Sequence, residues 1–348
     1  MKDKNRPVGI IGAGSFGMAI ASLLSQNRKV LIYTRSSLLG DAIGQGVLYK
    51  EWELHPNIEA TTSLQEIAER CFLIFPIIPS ANFRDLMKAF SPFLRPDHIL
   101  IHGIKGLEVQ LPAGKTLADM DSLTRMQVKT MTEVIQDESV VKRIGCIAGP
   151  NLSKEIKAGY PAATVVASRF EEVLNEGIEV LRTDNFRVHS NSDLLGIELC
   201  GVLKNIMAIA SGMVTGLGYG ENTRAMLIAR GLAEMALFGQ KLGATPNAFL
   251  GLAGVGDLVA TCNSPLSRNY TVGRRLAEGE SLHAILGTMN EVAEGIKTVQ
   301  IATKLANHYR MPALITKKLH QVLFEEKSVA QGMQELMNIS FTEDVEFL

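Results

Sequence analysis

The sequence predicts two architectures in one chain. The first is an α/β N-terminal part built on a mostly parallel, doubly wound sheet, and the second is an all-α C-terminal part. Three observations predict it. A strand, a glycine turn, a helix and a second strand follow one another between Val8 and Tyr33. Apolar runs of strand length then alternate with helical stretches as far as about residue 190, as expected of a parallel sheet covered by helices on both faces. From Asp193 onward no alternation of period two remains, and apolar residues recur at helical spacing. The predicted domains are therefore 1–190 and 191–348.

Taken in order, Val8–Ile11 is a short apolar strand, Ala19–Leu24 a helix and Lys29–Tyr33 a second strand, which together form a βαβ unit. Further strands are predicted at Phe72–Phe75, Ile99–His102, Ile144–Ala148 and Ala162–Ala167. The helices between them are Leu64–Glu69, Phe83–Phe90 and Thr116–Gln136. In the second part, Asn222 precedes a helical run Thr223–Leu242 closed by Gly243, and Pro312 precedes Ala313–Glu326.

The 348 residues are 46% hydrophobic and 20% charged, with a formal net charge of -1. That composition fills two cores, since domains run to about 100–200 residues. No basic excess or stripe is present, so no nucleic-acid partner is expected. Cys71, Cys146, Cys200 and Cys262 show no paired spacing. That predicts reduced thiols in a cytoplasmic protein, with neither a disulfide framework nor a metal site. Glycines at 12 and 14 interrupt the first apolar run before it reaches the length of a signal-peptide core. Leu194–Leu217 is long and apolar, but Glu198, Lys204, Asn205 and several glycines make it a buried helix rather than an integral membrane segment.

Gly12-Ala13-Gly14-Ser15-Phe16-Gly17 follows a strand and opens a helix. In that context G-x-G-x-x-G is the dinucleotide fingerprint of a Rossmann domain. Gly12 permits the tight turn, Gly14 the approach of a pyrophosphate, and Gly17 the packing of helix on strand. The end of the second strand selects the nucleotide. An NAD site usually places Asp or Glu there, whereas this chain reads Tyr33-Thr34-Arg35-Ser36-Ser37. Arg35 is suited to a ribose 2′-phosphate. The alternative reading is a solvated surface arginine.

Lys204 lies inside the longest apolar stretch, in Leu203-Lys204-Asn205. Such a lysine either snorkels outward or lines a cavity, where a lowered pKa suits it to proton transfer. Asp257 follows Gly254 and Gly256, in a turn that either aims its carboxylate into a cleft or uses it as a cap.

Over nearly its whole length the chain resembles the bacterial-type NAD(P)-dependent glycerol-3-phosphate dehydrogenases. The matching segments are Ile11–Gly17, Lys105-Gly106-Leu107-Glu108, Gly149-Pro150 with Lys154-Glu155, Leu203-Lys204-Asn205, Arg230–Met235, Gly254-Val255-Gly256-Asp257-Leu258 and Ser267-Arg268-Asn269. The resemblance implies hydride transfer between NAD(P)H and dihydroxyacetone phosphate, giving sn-glycerol 3-phosphate for phospholipid synthesis. NADP(H) is expected to be preferred and NAD(H) to remain usable. It implies Lys204 as proton donor and acceptor. It implies substrate contacts from Lys105, Gly149, Asn151, Asp257, Ser267, Arg268 and Asn269. It also implies cofactor contacts from Gly12, Gly14, Ser15, Phe16, Gly17, Arg35, Lys105, Ser153, Arg268, Val292 and Glu294. The active site is expected in the cleft between the two domains, and the assembly as a homodimer.

Three departures stand out. Asn151 replaces the family's Ser or Thr after Gly-Pro. Pro76 interrupts a strand and predicts that it ends early or bulges. Tyr49–Pro56, with the only tryptophan, Trp52, departs from the family's Tyr-Leu-Pro pattern. Two rival readings remain open. One is a related dehydrogenase acting on a 3-hydroxy acid or sugar acid, which shares the Lys-Asn pair but not Ser267-Arg268-Asn269. The other is a non-catalytic nucleotide sensor, which has no need of Lys204, Asp257 and Arg268 together.

Overall fold

The computed structural model describes residues 6–45, 47–289 and 293–338. In chain order the elements begin β1 (Val8–Ile11), α1 (Ser15–Leu24), β2 (Val30–Tyr33), α2 (Leu38–Gln45), β3 (Ile58–Thr61), α3 (Leu64–Arg70), β4 (Leu73–Pro76), α4 (Phe83–Phe90) and β5 (Ile99–His102). They continue β6 (Glu108–Val109), β7 (Val128–Lys129), α5 (Met131–Glu138), β8 (Arg143–Ala148), α6 (Ser153–Lys157), β9 (Ala162–Ser168), α7 (Glu171–Leu181) and β10 (Phe186–Asn191). The remainder is helical: α8 (Leu194–Gly216), α9 (Glu221–Leu242), α10 (Asp257–Asn263), α11 (Arg268–Ala277), α12 (Leu282–Thr288), α13 (Glu294–His308), α14 (Leu314–Phe324) and α15 (Val329–Met337).

The chain packs as two compact units. One is Met1–Ile104 with Met131–Leu194, and the other is Lys105–Thr130 with Leu195–Leu348. The second unit thus takes in a stretch, 105–130, that sequence pattern grouped with the N-terminal residues. Long-range bonds explain it. Leu123 N donates to Lys304 O (3.1 Å), Arg125 N to the Tyr309 hydroxyl (3.1 Å) and Asn307 Nδ2 to Asp121 O (3.2 Å), while Lys304 Nζ reaches Met120 O. The helix expected over Thr116–Gln136 is correspondingly absent. Residues 116–124 form no helix or strand, Arg125–Gln127 make a single 3-10 turn, β7 pairs antiparallel with β6, and α-helix is confined to α5.

The first unit carries an eight-stranded sheet in the order β10-β9-β8-β5-β4-β1-β2-β3, parallel except between β8 and β9. Successive strand residues face opposite sides, as the pleat requires. Ile10, Ile32, Phe75 and Ile101 enter one core with α1 and α7. Ile11, Leu31, Ile74 and Leu100 enter the other with α3, α4 and α5. Strand order reverses beside β1, between β4 and β2, which is the switch point where ligands of such sheets bind. Pro76 ends β4. It pairs with Ile11 of β1, the ladder to β5 stops at Ile74–Leu100, and the Pro76 carbonyl accepts from Gly103 N (3.1 Å). The Pro76 carbonyl faces β5, so its missing N–H falls on the same side, omits the next bond of that ladder and ends it there.

In the second unit α8 is long and apolar enough to cross a membrane, yet 94% of its most apolar window is buried inside the protein. It packs backbone to backbone on α11, where a Cβ on Gly273 would fall 1.8 Å from Ile209 O. Asn222 does not cap α9. That helix starts at Glu221 with Gly220 as N-cap, and it ends at Gly243, whose φ of 98° is the left-handed stop. Buried Glu234 on α9 closes the start of α14. It accepts from Ile315 N (2.9 Å), Thr316 N (3.0 Å) and the Thr316 hydroxyl (2.5 Å). Burial raises its carboxyl pKa against these three donors. Glu234→Ala leaves those donors unpaired in the interior and is expected to destabilise the fold by about 3 kcal/mol, with Glu234→Gln losing less. Urea unfolding checks it, and an unchanged midpoint for the alanine variant refutes it.

Candidate active site

The glycine turn of the first unit stands at the carboxyl end of β1. Gly12 has a φ of 118°, and a Cβ there would meet Ile77 O at 2.2 Å. A Cβ on Gly17 would meet Gly12 O at 2.0 Å, which fixes α1 close against the turn. Gly14, the N-cap of α1, is different, because a Cβ there meets nothing within 4 Å. No side chain caps the helix, and its N-terminus, the positive end of the dipole, begins beside that open space. The turn therefore fits a dinucleotide pyrophosphate. Ser15 and Phe16 start α1, and Phe16 packs so near Gly103 that a Cβ there would lie 2.9 Å from its ring.

Arg35 is exposed between β2 and α2. Among the described residues no carboxylate forms an ion pair with it. The neighbouring hydroxyls are used locally. Ser36 Oγ accepts from Leu38 N (3.3 Å) and Ser37 Oγ bonds Asp41 Oδ2 (3.2 Å). Gly149, Asn151 and Ser153 lie on the β8–β9 connection, also in the first unit. Asn151 is buried, and its Nδ2 donates to Thr164 Oγ1 (2.8 Å), which in turn bonds Ala148 O (3.1 Å). Its amide thus ties the two strands together.

The second unit brings Lys204, Asp257 and Lys105 to one point. Lys204 lies in the middle of α8 with its side chain 6% exposed, so it does not snorkel. A turn of π-helix, Leu252–Gly256, runs directly into α10 and makes Asp257 that helix's first residue. Asp257 Oδ1 is 3.0 Å from Lys204 Nζ, and Oδ2 accepts from Lys105 Nζ at 2.9 Å. Thr261, one helical turn after Asp257, completes the cluster. Its Oγ1 accepts from Lys204 Nζ (2.5 Å) and donates to Asp257 Oδ1 (3.0 Å). Asn205 Nδ2 donates to Lys105 O (3.3 Å), anchoring the backbone that carries the second ammonium.

Electrostatics follow from this geometry. Burial lowers the Lys204 pKa to about 8; Asp257 opposes the shift and the Lys105 ammonium adds to it. Asp257 is fully buried, which alone raises a carboxyl pKa, but the two ammonium groups outweigh burial and hold it below its ordinary value. The arrangement keeps one carboxylate ionised and one lysine ready to exchange a proton near neutral pH.

Ser267, Arg268 and Asn269 form the start of α11 rather than a loop. Ser267 is the N-cap, its hydroxyl accepting from Tyr270 N (3.3 Å), and Arg268 is an exposed first residue. Asn269 is buried, and its Oδ1 accepts from Gly295 N (3.0 Å). That bond sets the amide so that its donor end faces away from α13. Gly295 is needed there, because a Cβ would lie 2.6 Å from Asn269 Oδ1 and 2.9 Å from Asn205 O. Glu294 therefore enters α13 beside this group, while Val292 lies outside the described residues. Sequence reading missed Thr261. Its one signal was the four-residue spacing from Asp257, which puts both on one helix face.

Comparison with known proteins agrees over the full chain. Residues 7–174 match the NAD-dependent glycerol-3-phosphate dehydrogenase N-terminus family, and residues 193–334 match the corresponding C-terminus family. The glycerol-3-phosphate dehydrogenase (NAD(P)+) of Ectopseudomonas mendocina (strain ymp) is 39% identical over 348 residues, covering 99% of this chain and 97% of that one. The protein of the same description from Pseudomonas aeruginosa (strain LESB58) is 38% identical over 350 residues, covering 99% and 98%. The crystal structure of glycerol-3-phosphate dehydrogenase from Coxiella burnetii superposes with a TM-score of 0.85 at 31% identity, over 97% of this chain and 100% of that one. The chain belongs to the family of NAD-dependent glycerol-3-phosphate dehydrogenases.

Proposed function

We propose that the protein interconverts dihydroxyacetone phosphate and sn-glycerol 3-phosphate with NAD(P)H, and that Lys204 moves the proton. The observation that carries this reading is the Lys204–Asp257–Thr261 cluster. An ammonium has three donors. Two of those on Lys204 are committed to Thr261 Oγ1 and Asp257 Oδ1, so the direction of the third is fixed. It is assigned to the C2 oxygen of the substrate. The bound nicotinamide supplies the hydride in reduction and accepts it in oxidation. As C2 is reduced, its carbonyl oxygen becomes an alkoxide and takes the Lys204 proton. In oxidation, neutral Lys204 removes that proton from the C2 hydroxyl. Asp257 holds the lysine in place and balances its charge, and Lys105 adds a second cation beside the developing negative oxygen.

Arg268 and the N-terminus of α11 are assigned to the substrate phosphate, with Asn269 Nδ2 as a directional donor. Gly12, Gly14, Ser15, Phe16 and Gly17 would hold the pyrophosphate end of the dinucleotide, and Arg35 the 2′-phosphate. Gly149 and Ser153 are assigned to the same pair of ligands. Asn151 Nδ2 holds the β8–β9 connection, and its buried Oδ1, which has no hydrogen-bond partner among the described residues, is assigned to the substrate. A cytoplasmic location and a homodimer belong to this reading, and the four cysteines, all buried as thiols, suit a reducing compartment.

The test is spectrophotometric. Oxidation of NADPH and NADH is followed with dihydroxyacetone phosphate and with a panel of unphosphorylated ketones and oxo acids. Turnover confined to the phosphorylated ketone supports the reading, and preferred turnover of an oxo acid refutes it. The same assay reads cofactor choice. NADPH is expected to be preferred moderately, because an exposed arginine is screened by water and salt. Arg35→Asp removes attraction and adds repulsion, so the order should invert. A parent that favours NADH, or an unchanged ratio in the variant, leaves Arg35 a bystander.

A further inference from the structure

The segment that departs from the family pattern carries a lysine to the glycine turn. Tyr49 and Trp52 are both buried at 7% exposure and exchange two backbone hydrogen bonds, Tyr49 N to Trp52 O (3.1 Å) and Trp52 N to Tyr49 O (2.8 Å). The residues between them, Lys50 and Glu51, take left-handed φ values of 47° and 69°. Non-glycine residues adopt that conformation only where the surroundings impose it. Lys157 on α6 closes over the turn, with its Nζ 5.6 Å from the centre of the Trp52 ring and 3.8 Å from the Glu51 carboxylate. A pinned turn of this kind presents its tip in a fixed place.

At that place Lys50 Nζ donates to Ala13 O (3.3 Å) and lies 5.1 Å from the centre of the Tyr49 ring. Ala13 is the residue between Gly12 and Gly14, and the space beside Gly14 is open. An ammonium hydrogen-bonded to this carbonyl stands at the turn that receives the pyrophosphate. A dinucleotide fingerprint ordinarily offers only backbone N–H groups and a helix dipole at that point. Here the chain adds a full positive charge with two further protons to donate.

We propose that Lys50 is a binding residue for the dinucleotide pyrophosphate, raising affinity for NADH and NADPH alike. The inference rests on the assignment of the glycine turn to a dinucleotide. It separates two charges that otherwise look equivalent. Lys50 at the turn acts on what the two nucleotides share, whereas Arg35 at the end of β2 acts on the phosphate that only one of them carries. Being exposed, Lys50 contributes a modest, salt-dependent amount.

Isothermal titration of the full-length protein and of Lys50→Met with NADPH, NADH, ADP and adenosine tests it. The diphosphate-bearing probes should weaken by about five- to tenfold in the variant, with less dependence on salt, and adenosine binding should be unaltered. Lys50→Arg should restore most of the loss, which a merely structural role for the turn does not predict. The NADPH-to-NADH ratio should stay at the parent value. Unchanged affinity for NADH, NADPH and ADP overturns the proposal, and so does a loss confined to NADPH, which moves Lys50 to the 2′-phosphate. If the parent itself binds no dinucleotide, the assignment of the glycine turn has failed instead.

Discussion

Lys204→Met is expected to lower kcat for dihydroxyacetone phosphate reduction by about 10²–10⁴-fold, the usual scale for a lost general acid. Methionine matches the lysine stem in length and apolar character, so α8 keeps its packing and dinucleotide affinity should hold. The loss should appear in kcat rather than in substrate KM, because the proton is delivered as the alkoxide forms. The pH dependence of the parent gives an independent reading. With the Lys204 pKa lowered to about 8 by burial, the reductive rate should fall as pH rises through that value, since the acid form disappears. The oxidative rate should rise over the same range, since the base form appears. Circular dichroism confirms that the variant is folded. A folded Lys204→Met with near-parental kcat sinks the assignment, and a reductive rate flat across pH 7–9 sinks the pH argument.

Arg268→Ala is expected to cost about 2–3 kcal/mol in kcat/KM for the phosphorylated substrate, roughly a 30- to 150-fold loss. The lower part of the usual range for a charge pair applies, because Arg268 is exposed before substrate arrives. The helix N-terminus and Asn269 remain to hold the phosphate in the variant. Dihydroxyacetone without its phosphate should be a very poor substrate for the parent. The variant should treat the two ketones more nearly alike. Steady-state kinetics with both substrates at fixed ionic strength measure this. Equal turnover of the two by the parent, or an unchanged discrimination in the variant, removes Arg268 from phosphate recognition.

The first half of the fold was legible where local pattern and long-range order agree. The run Val8–Ile11, its glycine turn and α1 are specified by residues next to one another, and the buried strands β5, β8 and β9 read as largely apolar runs. Ile58–Thr61 and Phe186–Asn191 were not visible. They are the two edge strands, and each has one partner and a single buried residue, so their sequences carry little apolar signal. The helix read into Thr116–Gln136 failed for another reason. Its conformation is set by bonds to Lys304, Asn307 and Tyr309, nearly two hundred residues away in sequence, and such contacts override local propensity.

The cluster shows the same division. Lys204 declared itself as a charge in an apolar helix, but sequence left its two readings equal, and only the burial of the side chain separates them. Asp257 looked like a turn aspartate because no pattern announces a π-helical turn before a helix. Ser267 carries a hydroxyl whose plainest use, capping α11, is the one observed. Lys50 was invisible as a ligand candidate, because nothing in Tyr49–Trp52 states that this turn closes over Ala13.

The dependence of residues 105–130 on α13 also orders events during synthesis. At about 5–20 residues per second, α13 leaves the ribosome roughly 10–40 s after Lys105. During that interval β8, β9 and β10 emerge, and the eight-stranded sheet can close while the stretch carrying Lys105 has no partner for Leu123 or Arg125. A chain halted before α13 would therefore own a finished sheet and a complete glycine turn, while Lys105 would have only Asn205 and Asp257 to hold it and residues 121–125 would lack their partners. Nascent chains arrested at different lengths would gain the two capacities in sequence, nucleotide binding first and turnover last.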